Sequence, residues 1–401
     1  MLIRARSGRC ASTSSRHPDH AILSSERDQS GSKIASPTRY PQHSPVDADA
    51  NHSITPMNMS LSIARHVAYA ANRLPAQHSL VIIAGPRATG KTLLASTLYP
   101  HHRLISRARP REAARAPLDP AAFLAGHPPP LVIDDVHLAP RLIHHVGRLL
   151  GGQSLPPASY VLVGARPLLL AAAADEASAG RPALIHVHGL THAEVSAARP
   201  DLTLDERLLR GGFPALYAAA EPDVAGFMRD LVADHLIRDL PEQLRVDSVH
   251  AFEPFLRAVA ARSSGLLNKA ELARAVGIAG STAAIWLDTL VEAGIVAVVK
   301  PASSPQARGV VKAAKLHFLD TGLCSYLLGI RTADELATSP HAPAIWEAAV
   351  HRELRRLGAE KTPVVEPAFW RDRTKEADFV MTTPRGLVLL DTSWSEYPAT
   401  A

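Results

Sequence analysis

Between residues 60 and 190, short unbroken apolar runs alternate with stretches whose apolar residues recur every three to four positions. The runs at Leu80–Ala84, Arg103–Ser106, 131–135, Tyr160–Gly164 and 183–188 have the length of buried strands. Helical spacing predicts helices over 60–73, from residue 93 to 98, over 118–124 with Asp119-Pro120 at the opening, and over 141–150. Strands that alternate with helices in this way predict an α/β fold, a parallel sheet with helices on both faces.

The pattern changes after residue 246. A helix over 252–262, a second over Lys269–Val276 capped by Asn268, and a longer third opened by Gly280-Ser281 over 282–293 precede two strand-like runs at 295–300 and 310–319. Residues 301–309 join those runs as a loose basic tip. This is the order of a winged-helix region, which either lays a helix in a major groove or docks another protein. Ser281, Thr282, Lys300, Arg308, Lys312 and Lys315 are the candidates for DNA contact. Ile285, Trp286, Leu287, Leu290 and Val291 assign much of the third helix to the core.

Residues 1–56 lack apolar periodicity and are rich in Ser, His, Arg, Pro and Asp, which suits a disordered tail. Arg and Ser near the start point faintly to a transit peptide, against which Asp19, Glu26 and Asp28 argue. A misassigned start, with Met57 or Met59 as the natural beginning, is the rival reading. The chain has 401 residues, room for two or three domains; 46 % are hydrophobic and 20 % charged, a globular balance. Arg166-Pro167 interrupts the most apolar stretch, so no membrane-spanning helix is expected. Two cysteines, Cys10 and Cys324, make a disulfide framework improbable and fit a reducing cytoplasm. A net charge of +5 permits nucleic-acid contact without requiring it.

The chemistry concentrates after the first strand. Gly85-Pro86-Arg87-Ala88-Thr89-Gly90-Lys91-Thr92 fits G-x-x-x-x-G-K-[ST] between a strand and a helix, with Leu93 continuing into the helix. Such a loop turns backbone N–H groups inward around phosphates, and the helix N-terminus adds its positive end. Gly85 and Gly90 allow backbone angles and close approach that a side chain would block. Lys91 is placed to reach β- and γ-phosphates of ATP, and Thr92 to hold Mg²⁺. Asp134 ends an apolar strand, where a carboxylate holds the magnesium, and Asp135 is placed to orient water. Glu is the commoner residue at that last position, so Asp135 is one methylene short and slow turnover is expected. Gly164-Ala165 offers only backbone where a γ-phosphate-sensing side chain is expected, with Arg166 as a substitute. His186 and His188 alternate along a strand with His192 nearby. No carboxylate or Cys spacing supports a metal there, and surface or packing roles fit them better.

From about residue 60 to 395 the chain resembles a prokaryotic family in which an AAA-type ATPase domain precedes a C-terminal domain of unknown function 4143. The resemblance rests on GPRATGKT, LVIDDVHLAP, LVGAR, AGRPALIHVHGLTHAEV, LLRGGFPALY, HLIRDL, LLNKAELARAVGI, KLHFLDTGLCSYLLG, IWEAAVHREL and FWRDRTKEADFVM, in that order. It implies a P-loop NTPase sheet of AAA type over 57–245, with the Tyr160 strand between the two nucleotide-binding strands. It also implies the winged-helix region over 246–330 and a small nuclease-like α/β module over 331–401. In that module Glu347, Asp378 and Asp391 match three acids by position, but Ser393 falls where a lysine belongs. Cleavage of phosphodiesters is therefore doubtful, and pairing of Glu347 and Asp378 with Arg371 or Arg373 is the favoured alternative. The chain's end after Ala401 suggests truncation of the module. Arg181, Arg210 and Arg238 are candidates to neutralise γ-phosphate charge, from the same subunit or from a neighbour in an oligomer. The expectation is an ATP-binding, ATP-hydrolysing protein whose nucleotide state acts on modules that bind DNA or protein. The rivals are a nucleotide-gated switch with little turnover and an ATP-governed nuclease.

Overall fold

Five runs of consecutive apolar residues become five parallel strands. In the computed structural model, which describes residues 2–8, 63–68, 78–106, 119–152, 155–165, 170, 182–239, 249–302, 311–359 and 364–394, strand β1 spans Leu2–Gly8 and belongs to a separate sheet. Strands β2 (Leu80–Ala84), β3 (Arg103–Ser106), β4 (Leu131–Asp134), β5 (Tyr160–Gly164) and β6 (Ala183–His186) form the parallel sheet in the order β3-β4-β5-β2-β6. Strands β2, β4 and β5 are buried along their whole length, as they must be when both faces of a sheet are covered.

Side chains alternate between two cores. Leu80, Ile82, Ile133, Tyr160 and Leu162 face helices α2 (Pro120–Ala125) and α3 (Pro140–Gly152). Val81, Ile83, Val161 and Val163 face Leu94 and Ala95 of helix α1 (Lys91–Leu98). The Asp119 side chain accepts from the Ala122 amide at 3.0 Å and starts α2 where the Asp-Pro pair predicts. Strand β5 lies between β2 and β4, as the motif resemblance implies.

A second core begins at Leu190. Helices α4 (His192–Ala198) and α5 (Leu204–Arg210) each open on a capping box, Thr191 with Glu194 and Thr203 with Glu206. Helix α6 (Val224–Asp230) runs into a π-helix at Leu231–Asp239. Helices α7 (Val249–Ala260), α8 (Lys269–Val276) and α9 (Gly280–Glu292) follow, with a small antiparallel sheet of β7 (Gly265–Leu266), β8 (Val296–Val299) and β9 (Lys315–Phe318) in the order β7-β9-β8. One apolar cluster runs from Leu190 to Ala349, and in it the Trp286 ring meets Phe252 and Phe255 edge-on at 5.1 and 5.3 Å. The cores therefore divide near residue 190, earlier than the expected boundary at 245. The helices of 192–239 pack with the elements that follow them, α5 and α6 against residues Thr321–Ala359 and the π-helix against α7, and share their apolar cluster instead of the parallel sheet's.

Helices α10 (Thr321–Leu327), α11 (Ala333–Thr338) and α12 (Ala342–Ala359) lead to strands β10 (Ala368–Arg371), β11 (Glu376–Thr383) and β12 (Gly386–Ser393). Strand β1 completes this antiparallel sheet in the order β1-β12-β11-β10, with Leu2 opposite Ser393 and Gly8 opposite Leu387. A tail over 1–56 does not describe residues 2–8. Their backbone pairs with a strand at the far end of the chain, a partner that local composition does not reveal. Two further expectations change. The strand expected over 310–319 is confined to Lys315–Phe318, and Ile285, expected in the core, is 54 % exposed on α9. Among the described residues no helix is long and apolar enough to cross a membrane.

Candidate nucleotide-binding site

The loop of residues 85–90 leaves the buried strand β2 and enters α1, so a rigid strand aims it and a helix N-terminus closes it. Its two glycines serve different ends. A Cβ at Gly85 would overlap the Val187 carbonyl oxygen, because the chain just past β6 passes against the start of the loop. Gly90 has φ +82° and is the N-cap of α1, an angle only glycine adopts without strain. Ala88 carries a positive φ of 61° between them. Inside the loop, the Thr89 hydroxyl and the Lys91 ammonium both donate to the Pro86 carbonyl, at 2.8 and 2.6 Å. Lys91 is 8 % exposed, and burial pushes its pKa down from 10.5 to about 8, against the pull of Asp134 and Asp135. A buried ammonium that donates to a backbone carbonyl inside the loop is poised for an anion.

The loop and the end of β4 meet across the sheet. The Thr92 hydroxyl donates to Asp134 Oδ2 at 2.6 Å, and the Asp135 amide donates to Asp134 Oδ1 at 2.8 Å. Burial raises the Asp134 pKa, which the bond from Thr92 opposes. Asp135 follows at φ +50°, so the chain turns sharply at the second acid. A hydroxyl and a carboxylate in contact are hard oxygen donors of the kind magnesium takes, and a nearby dication would hold Asp134 ionised. The set fits that ion. Leu93, the first helix residue past the motif, is 58 % exposed.

Arg65 was not among the residues that the sequence singles out. Its guanidinium donates to the Thr89 carbonyl at 3.0 Å and the His188 carbonyl at 2.7 Å, and Glu194 Oε1 stands 3.5 Å from its Nε. It thus ties the loop to the end of β6 and to the capping box of α4. The signal available in the sequence was faint, a lone arginine ahead of the first strand.

A cleft of about 540 Å³, its open mouth included, runs beside the loop. Pro86, Thr89, His188, Phe213, Asp320 and Arg352 are among its walls. His188 is neutral there, since burial pushes its pKa down to about 3. Arg352 Nη1 stands 3.9 Å from Asp320 Oδ2 and, like its Nε, lacks a hydrogen-bond partner. The Gly212 amide donates to Asp320 at 2.7 Å, fastening the Gly211-Gly212-Phe213-Pro214 turn under the same cleft.

Other candidates fare differently. Arg210 keeps a buried Nη1 without a hydrogen bond, whereas Arg181, Arg166 and the Arg238 side chain lie outside the described residues. The rings of His186 and His188 stack at 6.4 Å, and among the described residues no group of His, Cys, Asp and Glu is disposed to hold a metal. Lys315, expected to face DNA, is 2 % exposed and bonded to carboxylates, so it cannot. Glu347 and Asp378 meet that lysine rather than Arg371 or Arg373. Arg308 lies outside the described residues.

Residues 77–196 match the family model of an AAA domain. Residues 201–334 match a domain of unknown function, DUF8612, where the motif resemblance names domain 4143. The uncharacterized proteins Mb2031c of Mycobacterium bovis and Rv2008c of Mycobacterium tuberculosis are each 30 % identical over 323 residues, spanning 77 % of this chain and 70 % of theirs. Among solved structures, the Walker-type ATPase paby2304 of Pyrococcus abyssi is similar at 14 % identity and TM-score 0.45, over 66 % of this chain and 95 % of that one.

Proposed function

This chain, with an AAA domain of the α/β P-loop fold, belongs to the same family as the two mycobacterial proteins, and we propose that it binds ATP and hydrolyses it to ADP and phosphate. The observation that carries the reading is the 2.6 Å contact between Thr92 of the loop and Asp134 of β4, beside a buried lysine. The amides of residues 86–92 and the Lys91 ammonium hold the phosphates. Thr92 and Asp134 would hold a magnesium ion, which would supply positive charge beside the phosphates. Asp135 accepts from the attacking water and aligns it. Arg352, whose guanidinium lines the cleft beside Pro86 and Thr89, is placed to neutralise phosphate charge alongside Arg210.

The later units supply the output. We read α7–α9 with β7–β9 as a winged helix that docks DNA or protein, and α12 with β10–β12 as a nuclease-like unit without cleavage activity. A Cβ at Gly294, in the turn before β8, would stand 2.7 Å from the Pro86 ring, so a loop that closes on phosphates pushes directly on that unit. A second reading, a switch that binds ATP and turns over little, is favoured by the shorter acid at Asp135 and by the backbone-only Gly164-Ala165. Phosphate release by wild type and Lys91→Ala, beside a titration of labelled ATP, separates the two. Binding with equal background release by both proteins leaves the switch. No saturable binding by wild type defeats both.

A further inference from the structure

Lys315 lies on β9, in the small sheet, yet its ammonium is enclosed by carboxylates of the C-terminal unit. Glu347 of α12 stands at 3.0 Å, and Glu376 and Asp378 of β11 at 2.5 and 3.7 Å. The Phe369 ring closes another side at 5.5 Å. His317 lies two residues further along β9, on the same face as Lys315. It is fully buried, and its Nε2 lacks a hydrogen-bond partner while standing 3.9 Å from the same Glu347 oxygen that Lys315 contacts. The other ring nitrogen is 3.1 Å from the Ser264 hydroxyl, which fixes the imidazole in place. Asp378 is oriented too. Its Oδ2 accepts from the amide and hydroxyl of Thr392 at 2.7 and 2.8 Å, so Oδ1 is left to face the ammonium.

Three carboxylates converge on one ammonium, and the Arg371 guanidinium stands 3.4 Å from the other oxygen of Glu376. Burial raises the Glu347 pKa to about 7, and the nearby Asp378 and Glu376 charges add to it, while Lys315 restrains it. For Lys315, burial acts downward, but Glu347 and Glu376 outweigh it and keep the ammonium charged. Hard oxygens from three acids, an orphaned imidazole nitrogen and a carboxylate held from behind form the donor set of a divalent-cation site. As the residues stand, no group of three or more His, Cys, Asp and Glu among the described residues is disposed to take a metal, and the Lys315 ammonium sits among these carboxylates.

We propose that Glu347, Glu376, Asp378 and His317 form a divalent-cation site that the chain keeps filled with its own Lys315 ammonium. Metal binding and the docking of β9 on the C-terminal sheet then exclude one another. The lysine welds the two units and keeps the acid cluster free of metal.

The test uses the full chain, freed of metal and titrated with Mn²⁺ in a calorimeter without nucleotide. Lys315→Met is expected to bind one additional Mn²⁺ at least 100-fold more tightly than wild type, and Glu347→Gln in that background to abolish the gain. Weak binding near the phosphate loop is common to all three proteins and subtracts. Unchanged ATP affinity and circular dichroism show that the variant is folded. A folded Lys315→Met with no gain overturns the proposal, as does wild-type binding that Glu347→Gln removes. If Lys315→Met fails to fold without metal, millimolar Mn²⁺ is expected to restore its fold, and failure to do so counts equally against the site.

Discussion

Replacing Lys91 by Met should make the ligand-free protein more stable while abolishing ATP binding. The ammonium is 8 % exposed, and burial moves its pKa from 10.5 to about 8. That displacement corresponds to about 3 kcal/mol charged against the folded state at neutral pH. Methionine has a similar length and carries no charge, so it removes the penalty; losing the hydrogen bond to Pro86 returns about 1 kcal/mol. The net expectation is a gain of about 2 kcal/mol. The sign with pH follows from the depressed value. Between about 8 and 10.5 the unfolded chain holds a proton on Lys91 that the folded chain has lost, so wild-type stability rises across that window. The advantage of Met should therefore be full below pH 8 and should shrink towards pH 10.5. ATP affinity moves the opposite way in wild type, falling as pH rises through about 8, because the triphosphate needs the charged form. Urea unfolding followed by circular dichroism at pH 7 and pH 10 measures the first effect, and a labelled-ATP titration measures the second. A Lys91→Met protein no more stable than wild type at pH 7 would refute the reasoning.

The loop's neighbours give three more expectations. Gly85→Ala forces a methyl into the Val187 backbone and should cost about 3 kcal/mol or more, seen as lost folded yield, whereas Gly90→Ala meets only a positive φ and should cost about 1–2 kcal/mol with the fold intact. Arg65→Ala removes both bonds onto the Thr89 and His188 carbonyls and should weaken ATP binding about tenfold, read by the same titration, with Arg65→Lys recovering little because an ammonium cannot fork to both. Asp135→Glu restores the missing methylene and should raise steady-state phosphate release, while Asp135→Asn should lower it; equal rates in all three proteins would remove Asp135 from the water-positioning role.

The parts of this architecture legible in the sequence are those whose information is local. Strands β2, β3 and β5 fall where their apolar runs do, and α8 starts at Asn268, because burial and capping are written in neighbouring residues. Contacts across long separations were not legible. Strand β1 is defined by pairing with β12, and Arg65 by carbonyls 24 and 123 positions away. Lys315 looked like a basic wing residue, since its three carboxylates come from elements packed against β9 only in the fold. Ile285 misled for a related reason. Its apolar type suited the core, but Trp286 and Leu287 fill the inward face of α9 and leave it outside.

Small residues fix how tightly the nucleotide loop and the later units are joined. Gly294, at φ +69°, lets the turn before β8 rest on Pro86. Gly211, at φ +73°, leaves room for the Asp320 carboxylate, and Gly322 lets α10 approach the Arg210 carbonyl. Asp320 then binds both sides at once, accepting from Gly212 at 2.7 Å and from Leu323 at 2.9 Å. Its burial raises its pKa, with Arg352 opposing, so its charge is held by those amides and by the guanidinium. Contacts with no spare room between them transmit displacement instead of absorbing it. A loop that shifts by a few tenths of an ångström around a triphosphate would press on the Gly294 turn, while charge arriving near Arg352 would draw on the partner of Asp320. The proposed coupling therefore needs no large hinge, only that Pro86 and Arg352 border the same cleft.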